Sequence, residues 1–503
     1  MTLKVNLKVK PEKPEKVEIL KFRDNNSQIK FHENTSKTRD FSNSLKGENS
    51  FSTKIENWKH MLDKHCRTAF PTIRIRKNKL RKSQSDVLID KRNALLKGNV
   101  TDLISEEINN LIVRIANIIS DEERLKCHVL KNFWDQSGSV NMSEMWKLKK
   151  KMWPNKQSSL PTAKINHKGR LVSSPKDIKS ALRKEYMERL RSRPRHPKVN
   201  NVIKSKTILL KLKNALKRKS EPITMNKLNI VLKNIKTGKA RDADGMVREI
   251  CKLNIIGQDL KLSLLTMLNM IKDKGTIPDF MRKAHISTIP KKNKSRLHLK
   301  NERGIFLVNV IRGILMRVLF NRKSDMIDTH MSDSNIGGQK DKSGINHIWV
   351  LTGIIHEQLS SIKNPPIVVQ QYDYSQMFDG MHLKEALSDI YDSGVKDDTI
   401  NLIYDANRRV EVKVKTPHGL TEEVVLDEVV LQGEVWGPIL ASNQVDTFGR
   451  EMLEEDYSFI YKYKGYIPVP LLGLIDDTIS VNLAGHQAAE MNSYMNVKSG
   501  DKY

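Results

Sequence analysis

The sequence predicts a mixed helix-and-strand fold of the α+β class, on three observations. From about residue 220, stretches with helical periodicity alternate with short runs rich in β-branched residues. Two of these runs are followed by turn residues and a second apolar arm, as in β-hairpins. The length of 503 residues suits two or three domains, while the hydrophobic share of 38% predicts that part of the chain is disordered.

Residues 1–100 form the first predicted segment, a basic tail. They are rich in Lys, Asn, Ser and Glu and show no sustained apolar period, which predicts disorder. The basic run at 74–82 is typical of a nuclear-import signal or a phosphate-binding patch, although many such runs are only solvated. The three isolated cysteines favour a reducing, intracellular compartment, and a nuclear location is one interpretation of this basic run.

Residues 101–219 form the second predicted segment, a basic and helical connector. Its apolar residues repeat at spacings of four, three, four and three, which places them on one helical stripe. These residues are Ile104, Ile108, Leu111, Ile115 and Ile118. A preceding threonine, Thr101, is a good N-cap for that helix.

Residues 220–503 form the third predicted segment, which holds most of the regular structure. The apolar stripe at 310–319 predicts a helix. Val410, Val412 and Val414 alternate with polar residues up to a turn at 416–419, and the run at 424–426 returns as a second strand. Apolar runs at 471–475 and 479–481 flank two adjacent aspartates, which predicts another hairpin with carboxylates at its tip.

Charge is divided unevenly along the chain. The 88 Lys+Arg and 58 Asp+Glu give a net charge of +30, but residues 341–503 hold only 13 basic and 25 acidic side chains. A basic front and an acidic rear suggest that one part binds a polyanion and the other a divalent metal, with a merely solvated basic tail as the alternative. No apolar run of about 18 residues predicts a membrane span. Three isolated cysteines disfavour a disulfide scaffold.

The adjacent aspartates, Asp476 and Asp477, suggest a metal site. A third carboxylate, Asp373, ends another apolar strand, so the three would converge if the strands are neighbours in one sheet. Converging carboxylates repel one another, and two Mg²⁺ ions would relieve that repulsion. Paired aspartates at a β-turn often only favour the turn, so the spacing alone leaves both interpretations open.

Six motifs follow one another in the third segment. They are KARDADG at 239–245, ISTIPKK at 286–292, NERGI at 301–305, YDYSQMFD at 372–379, LQGEVWGP at 431–438 and LIDD at 474–477. This succession resembles the fingers and palm motifs of reverse transcriptases, most closely those of non-LTR (LINE-like) retrotransposons. The resemblance implies a right-hand polymerase fold with an antiparallel palm sheet flanked by helices. It also implies an RNA-directed DNA polymerase (a nucleotidyltransferase) that extends a DNA primer on an RNA template with dNTP substrates.

The resemblance also implies roles for particular residues. Asp373, Asp476 and Asp477 would be the catalytic metal ligands for two Mg²⁺ ions, with Mn²⁺ as an alternative. The other implied positions bind the incoming nucleotide, and they are Lys291, Arg303, Phe378, Gln432 and Gly433. Phe378 would clash with a 2′-hydroxyl, and the two cations would contact the triphosphate. The alternative for Phe378 is an ordinary core residue, and for the cations it is ordinary surface charge.

The chain also departs from the family pattern. Leu474 and Ile475 stand where an aromatic and a small residue are usual, Gly437 replaces a serine, and Gly304 replaces a proline after the finger arginine. Arg241 and Asp242 replace an expected proline and glycine. Only residues 478–503 follow the paired aspartates, which predicts a fingers-and-palm piece without a thumb.

Two other functions remain open at this stage. A catalytically inactive retrotransposon remnant that only binds nucleic acid would keep the same charge asymmetry without needing metal ions. An RNA-templated RNA polymerase would also use palm aspartates, but Phe378 argues against that activity. The oligomeric state, the template and any insertion site are not encoded in a pattern that we can interpret.

Overall fold

The structure is a computed structural model of the whole chain. It describes residues 18–74, 164–190, 200–291, 298–454 and 459–493, with short gaps inside these ranges, and a few single positions between 110 and 124. The chain divides into two compact units, Met1–Ile73 with Thr162–Tyr503, and Arg74–Pro161. The predicted helical stripe at 104–118 falls in the second unit, outside the described residues.

The described part combines helices with a mixed set of strands. The helices are α1 (Asn25–Lys37), α2 (Asp40–Ser44), α3 (Phe51–Ala69), α4 (Pro175–Arg189), α5 (Asn200–Leu216), α6 (Met225–Lys233), α7 (Gln258–Lys274), α8 (Asp279–Arg282), α9 (Val310–His330), α10 (Gly344–Leu359), α11 (Met377–Gly380), α12 (Leu383–Asp392), α13 (Thr399–Ala406) and α14 (Trp436–Glu454). The strands are β1 (Glu18–Leu20), β2 (Thr72–Arg74), β3 (Lys164–Ile165), β4 (Leu171–Val172), β5 (Lys283–Pro290), β6 (Glu302–Val308), β7 (Ile367–Asp373), β8 (Val410–Thr416), β9 (Gly419–Leu420), β10 (Val424–Leu426), β11 (Phe459–Tyr461), β12 (Ile467–Val469), β13 (Leu472–Leu474) and β14 (Asp477–Leu483). Among the described residues, no helix combines the length and apolar content that crossing a bilayer requires.

The first three helices pack on α7, where the sequence predicts a disordered tail. Trp58 on α3 is fully buried, and its Nε1 donates to Ser263 Oγ at 2.9 Å. The backbone N–H of Phe41 donates to Asp259 Oδ2 at 3.1 Å, which fixes α2 to the start of α7. The expectation of disorder is therefore wrong for residues 25–69. The expectation rested on the polar composition of the whole segment, which obscured the regular stripe that α3 buries. For α1 and α2, the surface that covers the few buried residues lies far along the chain.

A mixed sheet in the order β10-β8-β5-β6 forms a second layer, with β9 paired to β8. The predicted hairpin at 410–426 is confirmed, because Val424 pairs with Val412 in antiparallel register. Strands β5 and β8 run parallel. Alternate side chains of this sheet pack against α4. Glycine suits position 304 for a steric reason, since a Cβ there would lie 2.6 Å from the ring of Tyr186 on α4.

Helix α9 lies in the largest apolar core of the described chain. The predicted stripe is confirmed, because Val310, Ile314 and Leu319 are all buried there. Asn309 caps the helix, and its Oδ1 accepts from the backbone N–H of Ile311 at 2.9 Å. Helices α12, α13 and α14 contribute to the same core, together with Val430 from the segment before α14.

A separate three-stranded antiparallel sheet has the order β13-β14-β7. The second predicted hairpin is confirmed, because Leu472 pairs with Ile479 and Leu474 with Asp477. One face of this sheet packs on α10 through a small core centred on Ile354 and Val481. Strand β14 is thus held on both sides, and its first residue follows directly after the hairpin turn.

Candidate functional site

The site begins with two carboxylates on neighbouring strands. In the β14–β7 ladder, Asp477 is the direct partner of Asp373, and both residues are exposed. The sequence predicts that these carboxylates meet if their strands are neighbours, and the strand pairing is confirmed. The remaining aspartate of the predicted set, Asp476, lies outside the described residues.

The hairpin turn that precedes Asp477 has an unusual backbone. Ile475 has a φ of 62°, although it is β-branched and such residues are rarely found in the left-handed region. Backbone conformations of this kind cost about 1–3 kcal/mol and persist only where the surroundings hold them. The tip of the hairpin is therefore fixed by contacts outside the hairpin itself.

Asn335 supplies those contacts from a buried position. Its side chain is fully buried, and Oδ1 accepts from the backbone N–H of Ile475 at 3.3 Å and of Gly337 at 2.9 Å. The next backbone N–H, of Ile336, donates to Gly473 O at 3.0 Å. At Gly337 a Cβ would lie 2.4 Å from the backbone nitrogen of Ile475. The segment 335–337 thus touches the strained turn, a role that no motif in the sequence indicates.

We expect Asn335→Ala to lower the free energy of unfolding by about 1–3 kcal/mol, because it leaves buried backbone donors without their acceptor. Thermal and denaturant unfolding measure this loss. Asn254→Ala, at an exposed position, is the matched control and should change stability by less than about 0.5 kcal/mol. Equal melting of the two variants would contradict the role of Asn335.

The other face of the three-stranded sheet carries a buried polar cluster. Thr478, Ser480 and Asn482 alternate along β14 and are all nearly inaccessible to solvent. Asn482 Nδ2 donates to Gln370 Oε1 at 3.1 Å and to Ser480 Oγ at 3.0 Å, which ties β14 to β7 through side chains. The sequence predicts an apolar ribbon around the aspartates, and the structure differs from that prediction in this buried polar face.

Gln432 and Gly433 lie against β6. The backbone N–H of Phe306 donates to Gln432 O at 2.9 Å, and Gly433 has a φ of 113°. A Cβ at Gly433 would lie 3.1 Å from Phe306 O, so this close approach of two backbones requires glycine. The close approach that the structure shows at this glycine is to β6, and an approach to a base pair is not tested by it. The role of both residues in binding a nucleotide stays a prediction.

An ion pair that sequence reasoning missed lies next to Gly433. Arg312 on α9 and Glu434 have side chains only 1% and 2% exposed, and two hydrogen bonds of 2.7 Å join them. Arg312 also donates to the backbone oxygen of Ala406 and to Asn407 Oδ1. The signal in the sequence that could have indicated this ion pair is the position of Arg312 within the apolar run at 310–319.

Lys291 and Arg303 lie at the same end of the β5–β6 pair. The backbone N–H of Lys291 donates to Asn301 O at 2.8 Å. Arg303 pairs in the β5–β6 ladder with Ile289, which lies two residues before Lys291. Arg303 is exposed, while the residues at 292–297 lie outside the described part. Lys291 directly follows β5 and Arg303 lies in β6, so both cations are at the mixed sheet, whereas Asp373 and Asp477 lie in the three-stranded sheet. Contact with a triphosphate remains a prediction for each.

His285 lies on the same sheet among lysines. It pairs with Lys413 in the β5–β8 ladder. Burial, with the positive charges of Lys415 and Lys413, lowers the pKa of His285 to about 4, and Asp244 opposes this shift. In the folded protein the imidazole is therefore neutral over a pH range in which an unfolded histidine would take up a proton.

This lowered pKa predicts how stability depends on pH. As the pH falls from about 6.5 to 4, the unfolded chain binds a proton at His285 before the folded chain does, so folding is weakened. His285→Gln removes this effect and should reduce the loss of stability between pH 7.5 and 4.5 by about 1–2 kcal/mol, allowing for partial exposure. Urea unfolding of both proteins at each pH measures the difference. An identical pH profile for the two would contradict the assigned pKa.

Phe378 lies in the short helix α11, five residues after Asp373. Its ring is half-buried and packs against the large core. A Cβ on Gly437 would lie 3.6 Å from the Phe378 Cε1 atom, an ordinary van der Waals contact, and 3.0 Å from Leu431 O, a tight one. Both interpretations of Phe378, as a nucleotide gate and as a core residue, are compatible with this half-buried position.

The donor set fits hard divalent cations. Mg²⁺ prefers carboxylate oxygens and keeps sites open for water and phosphate, and exposed carboxylates on adjacent strands offer such ligands. No group of three or more His, Cys, Asp or Glu side chains with metal-binding geometry occurs within the ranges that the structure describes. The predicted third ligand, Asp476, falls in a gap of those ranges, so Asp373 and Asp477 are the two members of the set with described positions.

Comparison with known proteins gives a limited result. No family model matches the chain. Among solved structures, the chain is similar to an apo telomerase from Candida tropicalis, truncated from its C-terminal domain. The identity is 13% and the TM-score 0.31, over 44% of this chain and 47% of that one. The chain thus matches about half the length of the telomerase, and the similarity is too low to assign a family.

Proposed function

We propose that the chain is the fingers and palm of a retrotransposon-type reverse transcriptase, an RNA-directed DNA polymerase. The observation that carries this proposal is the pairing of Asp373 with Asp477, two exposed carboxylates brought into direct register at a strained hairpin turn. Like charges directly opposite one another weaken a strand pair, so a structural role does not account for them.

The residues of this site would act mainly by position and charge. Asp373, Asp476 and Asp477 would hold two Mg²⁺ ions, which supply Lewis-acid activation of a primer 3′-hydroxyl and stabilise the pyrophosphate leaving group. Asn335 and Gly337 keep the turn rigid, so that the carboxylates need no rearrangement during the reaction. Catalysis then comes mostly from a fixed geometry rather than from a covalent step.

The incoming nucleotide would lie between the functional residues of the mixed sheet and those of the three-stranded sheet. Gln432 and Gly433 would contact the nascent base pair through a backbone that the glycine allows close, and Lys291 and Arg303 would contact the triphosphate. The basic front, with 75 Lys+Arg and 33 Asp+Glu in residues 1–340, would bind the RNA template and the DNA primer through their phosphates.

Primer extension tests the proposal directly. The full chain receives an RNA template with a DNA primer, Mg²⁺ and labelled dNTPs, beside the double variant Asp476→Ala, Asp477→Ala. The double variant Glu422→Ala, Glu423→Ala removes another adjacent acidic pair in contact with solvent and is the matched control. We expect extension by the parent and the control only. Extension by all three would overturn the site. No extension by any, with RNA binding intact, would favour the inactive remnant.

Phe378→Val tests the predicted nucleotide gate. A smaller side chain removes the clash with a 2′-hydroxyl, so the preference for dNTPs over rNTPs should fall by roughly 10- to 100-fold, while dNTP incorporation changes little. Steady-state rates with each nucleotide measure both quantities. A preference unchanged by the substitution would make Phe378 a core residue, and a parent that prefers rNTPs would favour the RNA polymerase.

A further inference from the structure

A cationic cavity lies apart from the aspartates, between α6, the short helix Arg248–Cys251 and α9. Its volume is about 400 Å³, which is in the usual range for small-ligand sites. The floor is apolar and includes Val231 and Ile314, and Gly313 opens it further. Lys236, Arg248 and Arg317 line the same cavity.

The cations of this cavity have no acidic partner within the described residues. Arg248 and Arg317 are close enough that the charge of Arg248, after burial, lowers the pKa of Arg317. The one acidic residue in the lining, Glu434, is already bound by Arg312 through two hydrogen bonds of 2.7 Å. Two arginines placed together without a counter-charge favour an anionic ligand.

We propose that this cavity binds one nucleotide of a single-stranded nucleic acid, with its phosphate on Arg248 and Arg317. Guanidinium groups match the geometry of phosphate oxygens, and the apolar floor would receive the base or sugar. Asn234 and Asn321 at the lining offer amides that can bond polar edges of a base. A free mononucleotide presents the same phosphate chemistry and is the other source of such a ligand.

The inference does not depend on polymerase activity. The aspartates do not line this cavity, so a chain without catalysis would keep the site, and Asp373→Asn should bind single strands as the parent does. A protein that binds single strands through this cavity but does not extend primers would contradict only the proposed polymerase. A protein that extends primers but does not bind through this cavity would contradict only the present inference.

Fluorescence anisotropy with a labelled 12-nucleotide oligo-dT tests the cavity. We expect Arg248→Gln, Arg317→Gln to weaken binding at least roughly tenfold, because two charge-assisted contacts are lost. The control Lys217→Gln, Arg218→Gln removes the same charge from exposed positions and should change the affinity less than about twofold. Equal effects of the two pairs would overturn the site in favour of diffuse attraction. Melting temperatures establish that each variant is folded.

A second variant tests the cavity without changing any charge. At Gly313 an added Cβ would meet no atom nearer than Arg248 Nη2 at 4.0 Å, so Gly313→Leu should fill the cavity. We expect it to weaken oligo-dT binding several-fold, with the salt dependence retained. Unchanged affinity would overturn the proposal. Competition by unlabelled dTMP at low micromolar concentration would identify a free nucleotide as the ligand, whereas displacement only by unlabelled oligo-dT would identify the strand.

Discussion

Arg312→Met is expected to lower the free energy of unfolding by about 3–5 kcal/mol. Arg312 and Glu434 are almost completely buried, and removing the arginine leaves the Glu434 carboxylate without its counter-charge in the core. The backbone oxygen of Ala406 and Asn407 Oδ1 lose donors as well. Denaturant unfolding, followed by circular dichroism, measures the loss.

The size of this effect depends on burial, so an exposed ion pair is the proper control. Lys184 and Glu188 on α4 lie 3.7 Å apart with about 60% of each side chain exposed. Lys184→Met should change stability by less than about 0.5 kcal/mol. In a double-mutant cycle, Glu434→Gln added to Arg312→Met should recover part of the loss. A cost for Arg312→Met no larger than that for Lys184→Met would refute the buried pair.

Asp373→Asn is expected to abolish nucleotide incorporation, by at least about 10³-fold, while leaving the fold intact. The substitution removes a proposed metal ligand and nothing that the core depends on, since the residue is exposed. It also removes the like charge opposite Asp477, so stability should rise by about 0.2–1 kcal/mol. A gain in stability with a loss of activity is typical of a functional residue.

Two measurements on the same preparation check this prediction, a primer-extension rate and a denaturation curve. Asp325→Asn, on an exposed position of α9, is the matched control and should leave the rate unchanged. If Asp373→Asn retained more than about a tenth of the parent rate, Asp373 would not be a metal ligand. If it lowered stability instead, the carboxylate would have a structural partner.

Local structure could be predicted where one face of an element is apolar. The hairpins at 410–426 and 472–483 and the stripe of α9 follow from alternation and helical periodicity, because each pattern lies within a short stretch of the sequence. Helix α3 buries a stripe at regular helical spacing, but the polar composition of residues 1–100 as a whole obscured it; the stripe consists of Ile55, Trp58, Leu62, Cys66 and Ala69. Helices α1 and α2 could not be predicted, because each buries only a few residues. In α1 these are Ser27, Phe31 and Thr35, and their burial depends on a distant helix.

The sequence indicates the carboxylates of the candidate site but not the residues that support them. The paired aspartates stand out at a turn, but the register that places Asp477 opposite Asp373 is a long-range property of the sheet. Asn335 and the Arg312–Glu434 pair are polar residues in the interior, and a single sequence does not tell a buried amide from a solvated one. The cavity beside α9 likewise forms only when three separate segments meet.

The pairing of β7 with β14 also determines how early during synthesis the two carboxylates can meet. Asp373 and Asp477 are 104 residues apart in the chain, although they are neighbours in space. At synthesis rates of about 5–20 residues per second, Asp477 leaves the ribosome roughly 5–20 s after Asp373. During that interval β7 lacks its partner strand and exposes an unpaired edge. If the proposed function is right, the basic front that would bind nucleic acid is synthesised long before the carboxylates of the proposed catalytic centre can meet, so nucleic acid would bind before activity arises.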